Sequence, residues 1–264
     1  MLQAHSLLWD YLWVGPNLLL LVLGLILWKR GTWTALPAFL AFALLSAAGQ
    51  LAVFLADVVP SVTAENFWRV DWASLLIESF LKFVVIGEVF SRVLKPYPSV
   101  SRLGRVFVSG LGAALVLLSA LAAALSRGDS TMHLISGAHL LEQTAFMIEC
   151  GLILFLFLFA TYFHLTWDRP SFGVLLGLGV SACVHLATWA VVANASPSPR
   201  ERTLLAFLNM GTYHFCVLIW FYYLLVSPKA PTTPTVPPTE PPTGSAHEED
   251  LEAWNRELER LVHQ

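Results

Sequence analysis

Charge is scarce in this sequence. Only 12% of the 264 residues are Asp, Glu, Lys or Arg, against 56% hydrophobic. Soluble domains carry about 25% charged residues, and the mean hydropathy here is +0.66, so a soluble globular fold is not expected. A net charge of −3 gives no basic surface for nucleic acid. Cysteine is nearly missing. Cys150, Cys183 and Cys216 all fall in apolar runs, so no loop disulfide framework and no CxxC metal spacing exists. The three are expected to act as small buried hydrophobes. The basic pair Lys29–Arg30 follows the first apolar run instead of preceding it, which argues against a cleavable signal peptide.

What remains is a series of apolar runs long enough for a bilayer core, which takes roughly 20 residues per helix. They do not alternate, which excludes barrel strands. Seven segments are predicted: about Ser6–Trp28, Trp33–Ala56, Val70–Leu94, Val106–Ser126, His133–His164, Ser171–Asn194 and Arg202–Val226. Tryptophans such as Trp9, Trp13, Trp28, Trp33, Trp72 and Trp167 sit where runs meet polar flanks, as in an interfacial belt. The expected fold class is an all-α integral membrane protein, a seven-transmembrane-helix bundle. Lys29, Arg30, Arg92, Lys95, Arg102, Arg105, Arg169 and Lys229 fall on one side; Arg69, Arg127, Arg200 and Arg202, with Asp57, Glu65 and Asp71 nearby, fall on the other. The positive-inside rule then puts the N-terminus outside and the C-terminus inside.

The predicted organisation is residues 1–227 as the membrane domain, 228–247 as a Pro/Thr-rich linker and 248–264 as a short amphipathic cytoplasmic helix. Ser245 and Glu248 have capping-box spacing. Leu251, Trp254, Leu258 and Leu261 draw one apolar stripe beside Glu252–Arg256 and Glu257–Arg260 pairs. So short a helix is marginal alone. The stripe therefore calls for a cytoplasmic partner, a second copy, the bundle or the lipid surface.

Ionisable residues inside the runs are the functional signal, because each costs roughly 2.5–3.5 kcal/mol at a bilayer centre. The fifth segment, which carries His139, Glu142 and Glu149, is expected to be central to the bundle. The third holds Glu78 and Lys82 at pairing distance on one helix face, with Glu88 nearer the inner end. His185 and His214 lie in the sixth and seventh. Helical rise places His139 roughly 9 Å from the outer end, Glu78, Glu142 and His185 roughly 12–14 Å, and Lys82 and His214 about 18 Å. The first expectation is a set of buried polar groups that fix helix contacts. A proton or ion site is the second. No cofactor is expected; a transition metal held by His139, Glu142, His185 and His214 is a lesser alternative, since HxxxH and HExxH are both missing. A bis-His haem through His185 and His214 is weaker still. The seventh segment has no lysine for a retinal Schiff base.

CGLILFLFLFATYFHLTW (150–167), FGVLLGLG (172–179), VLIWFYYLL (217–225) and LEAWNRELERL (251–261) resemble a family of uncharacterised bacterial heptahelical membrane proteins. That resemblance implies a bacterial inner-membrane location, seven spans and a cytoplasmic tail helix. It implies no activity, cofactor or catalytic residue. More loosely, the layout resembles seven-helix sensory input domains of bacterial signalling proteins, without their fused output domain. The reading is a non-enzymatic, sensor-like or scaffold protein presenting a docking helix. The alternative is a membrane enzyme or transporter that uses the polar cluster.

Overall fold

The computed structural model describes residues 6–31, 34–94, 130–162, 167–195 and 198–226, with backbone alone over 130–141. It also describes Val106, Gly110, Ala113, Leu117, Glu252, Ala253, Trp254 and Arg256. Six long helices result: α1 (Leu7–Lys29), α2 (Pro37–Val58), α3 (Ala64–Val93), α4 (Ser130–Tyr162), α5 (Arg169–Ala195) and α6 (Pro199–Leu225). Of the predicted fourth segment, Val106, Gly110, Ala113 and Leu117 are helical and exposed; the rest lies outside the described residues. Among the described residues, five helices are long and apolar enough to cross a membrane: α1, α2, the Glu142–Tyr162 part of α4, α5 and α6. α3 is not among them, because Glu65, Arg69, Asp71, Glu78, Lys82, Glu88 and Arg92 interrupt its apolar character.

Local chemistry sets where the helices begin. Ser6 and Thr63 accept from the backbone N–H of Trp9 and Asn66, each at 3.3 Å. Ser198 and Glu201 form a reciprocal capping box, so α6 starts a few residues earlier than the apolar run suggests. α2 has no side-chain cap of its own. Instead Glu88 reaches over from α3, and its Oε2 accepts from Ala38 N (3.1 Å) and Phe39 N (3.3 Å). A carboxylate at a helix N-terminus is stabilising twice over, through the orphan N–H groups and the helix dipole. At the same end of the bundle, Arg30 and Arg169 donate to the last carbonyls of α6, at Leu225 (3.4 Å) and Tyr222 (3.5 Å). Asp168 accepts from Ser171 N at the start of α5 and lies 3.8 Å from Arg92.

Sequential helices pack side by side, and α6 closes back onto α1. The result is a ring, with α3 also touching α5 across it. α5 and α6 approach closely because Gly173 and Gly177 face Tyr223 and Trp220; a Cβ at either glycine would overlap those side chains. Trp220 is 1% exposed, and its indole N–H donates to Val174 O (3.2 Å). Phe39 and Phe42 meet it edge-on at 5.5 and 5.7 Å. With Leu20, Leu23, Ile86 and Leu178 these rings fill the half of the ring nearest Lys29 and Arg169.

The outward face is apolar on every helix, including Leu18, Leu25, Leu45, Phe80, Leu154, Leu158, Leu208 and Leu218. So much exposed hydrocarbon is a lipid-facing surface. Cys216 is buried, as the sequence suggested, but Cys183 is exposed and Cys150 half-buried. Their sulfurs lie 3.6 Å apart across α4 and α5. This corrects the expectation of three buried hydrophobes: the two thiols sit where the α4–α5 seam reaches the outer surface.

Candidate functional site: a polar cavity inside the helix ring

The other half of the ring is hollow. A cavity of about 380 Å³ receives side chains from all six helices. α1 gives Leu12, Trp13 and Asn17, and α2 gives Gln50 and Val53. Phe67, Trp68, Asp71, Leu75, Glu78 and Lys82 come from α3, Glu142 and Phe146 from α4. Ser181 and His185 of α5 and Asn209, Met210 and Tyr213 of α6 complete the wall. The contributions come from the middle of each helix and from the half toward the end where α1 begins and α2 stops. Below Tyr213 the wall passes into the Trp220–Phe39–Phe42 layer, with ring centroids of Tyr213 and Trp220 6.5 Å apart.

Polar ties join neighbouring helices around this cavity. Tyr213 OH donates to Asn17 Oδ1 (3.2 Å) between α6 and α1. Gln50 Nε2 donates to Glu78 Oε2 (3.2 Å) between α2 and α3. Thr188 and Asn209 bond each other between α5 and α6. His185 stacks on Phe146 at 4.3 Å between α5 and α4. Its Nδ1 lies 3.1 Å from Ser181 O and must donate there, since a carbonyl only accepts; Nε2 remains for another partner.

Lys82 is the centre of charge. Its ammonium lies 2.9 Å from Glu78 on its own helix and 3.9 Å from Glu149 on α4. It also sits 4.6 Å from the centre of the Phe146 ring. Glu149 is 2% exposed, and among the described residues its Oε1 has no hydrogen-bond partner. A space of about 10 Å³ beside it is walled by Ser79, Lys82, Glu142 and Glu149, room for about one water. Asp71 and Glu142 face the larger cavity, and among the described residues neither carboxylate has a hydrogen-bond or ion-pair partner.

Glu78, Lys82, Glu142 and His185 therefore share one cavity, with Glu149 adjoining it. His214 does not line it: the imidazole lies 5.8 Å from the Tyr11 ring, between α1 and α6. The side chain of His139 lies outside the described residues. Among the described residues no three His, Cys, Asp or Glu side chains are grouped to hold a metal ion. Asn17, Gln50, Asp71, Asn209 and Tyr213 are cavity residues that sequence reasoning passed over. Asn17, Gln50 and Asn209 had a usable signal, as lone amides inside apolar helices. At the tail, Trp254 is exposed and Arg256 lies 3.8 Å from Glu252. Leu251, Leu258, Leu261, the Ser245–Glu248 cap and the 228–247 linker lie outside the described residues.

No protein-family model matches the chain, and no match was found among curated proteins or solved structures. The heptahelical family resemblance is thus not carried by any identified family. The five apolar helices and the lipid-facing surface decide the class. The chain is a multi-pass, all-helical membrane protein. Association with a lipid bilayer follows from that class.

Proposed function

We propose that this chain is a non-enzymatic, sensor-like protein of the bacterial inner membrane. A small polar molecule enters the cavity from outside, and α6 carries its occupancy to the cytoplasmic tail. The observation that supports this best is a cavity built by all six helices and floored by a packed aromatic layer. A site closed on one side suits a receptor better than an open pore. Lys29, Arg30, Arg92 and Arg169 at the floored end favour that end as cytoplasmic. α6 spans the whole path, from Asn209 and Tyr213 at the cavity, past Trp220 in the floor, to the linker.

The test is sided thiol labelling. Met210 is changed to Cys after Cys150, Cys183 and Cys216 are changed to Ala. Membrane-impermeant thiosulfonates should label this variant in intact cells and leave it unlabelled in inverted vesicles. Labelling from both sides would favour the second reading, a transporter or enzyme using the charged cluster, for which the orphaned Glu149 oxygen beside Lys82 speaks. The absence of labelling from either side would overturn the cavity reading altogether.

The output half rests on Leu251, Trp254, Leu258 and Leu261, presented at the end of a Pro-rich spacer as a docking stripe for a cytoplasmic protein or a second copy. Deleting residues 245–264 should leave membrane insertion intact and abolish self-association or partner capture. Unchanged oligomer size and co-purification would rule the docking role out.

A further inference from the structure

The geometry points to a small organic cation, an amine or quaternary ammonium compound, as the cavity's ligand. This deepens the receptor reading above and rests on it. The cavity is acidic. Among the described residues, Asp71, Glu78 and Glu142 line it, against a single lysine, Lys82. That lysine is already engaged by Glu78 and by Glu149 behind it. Asp71 and Glu142 form no ion pair among the described residues, and they face the same space from the neighbouring helices α3 and α4. His185 adds no compensating charge while neutral, and Arg202 borders a neighbouring recess that shares Glu142, His185 and Asn209 with the cavity. Surplus negative charge in a low-dielectric bundle is costly unless a proton or a cation offsets it.

The walls narrow the choice between an inorganic and an organic cation. About 380 Å³ is far more than a bare ion fills and falls in the range of small-molecule sites. Trp13, Phe67, Trp68 and Tyr213 supply aromatic surface beside the two free carboxylates. Aromatic faces with carboxylates at their edge are what alkylammonium groups bind, through cation–π attraction and burial of their methyl or methylene carbons. A hydrated metal ion gains little from such a surface. The Phe146 ring is the exception among the aromatics, since Lys82 already covers it.

The same Met210→Cys protein tests this with paired reagents. The cationic trimethylammonium-ethyl thiosulfonate and the anionic sulfonatoethyl thiosulfonate differ chiefly in charge. After correction for their intrinsic thiol reactivities, the cationic reagent should react at least tenfold faster, and Glu142→Gln should cut that preference several-fold. Choline should slow labelling, while its neutral isostere 3,3-dimethylbutan-1-ol should not. Equal rates for both reagents, or equal protection by the neutral alcohol, would overturn the cation assignment and leave the open cavity standing. Reaction with neither reagent would remove both readings. Unmutated protein gives an independent measurement, because Trp13 and Trp68 line the site. Choline, and not the alcohol, should change its tryptophan fluorescence saturably, and an identical response to both would again refute the proposal.

Discussion

Replacing Lys82 with Met is expected to destabilise the bundle by about 3–5 kcal/mol, the usual range for removing one partner of a buried ion pair. The ammonium is the sole cation within 4 Å of Glu78 and Glu149 among the described residues. Glu149 suffers most, since it is 2% exposed and one of its oxygens already has no hydrogen bond among the described residues. Glu78 retains Gln50 and an edge of the cavity, so part of its charge stays solvated. Reversible unfolding in mild detergent measures the loss. Adding Glu149→Gln to Lys82→Met should recover a substantial part of it, because an amide carries no uncompensated charge. A Lys82→Met protein as stable as wild type would mean that the triad contributes nothing to folding.

The second large effect is expected at Trp220. Trp220→Ala should lose about 3–5 kcal/mol, as large-to-small changes of a buried tryptophan do. The indole is wedged against Gly177, meets Phe39, Phe42 and Tyr213 edge-on, and donates to Val174 O. Trp220→Phe keeps most of the aromatic volume and removes the N–H, so it should cost about 1 kcal/mol for the hydrogen bond plus a small packing term. The contrast between the two variants is the informative quantity. If alanine costs no more than phenylalanine, the layer is not a packed floor.

Gly173 and Gly177 show how the floor and the cavity are related. They let α6 lie close to α5 at one end. At the other end, Thr188 and Asn209 hold the two helices through a hydrogen bond. The bundle is tight where residues are small and aromatic side chains interlock. It is open where polar side chains span between helices instead of packing. The cavity is a consequence of that difference.

The amino-acid sequence by itself determined the class of the protein and the position of its five most apolar helices. Run length and the 3.6-residue period are local properties, and each helix boundary found in Ser6, Thr63 or Ser198 is a local hydrogen-bonding choice. It also marked Glu78, Lys82, Glu142, Glu149 and His185 as groups that do not belong in lipid, and it paired Glu78 with Lys82 because both lie on one helix face. Only the tertiary structure decided which of these groups meet across helices. Depth along an axis is readable from rise per residue, but the rotation of a helix about its axis is set by its neighbours. His214 has a suitable depth and yet turns toward Tyr11. Glu149 turns toward Lys82, and the Glu88 side chain reaches across from α3 to cap α2. Cys150 and Cys183 come together at a seam that neither helix encodes alone. Those rotations follow from close packing at glycines and rings far apart in the chain, which no single segment specifies.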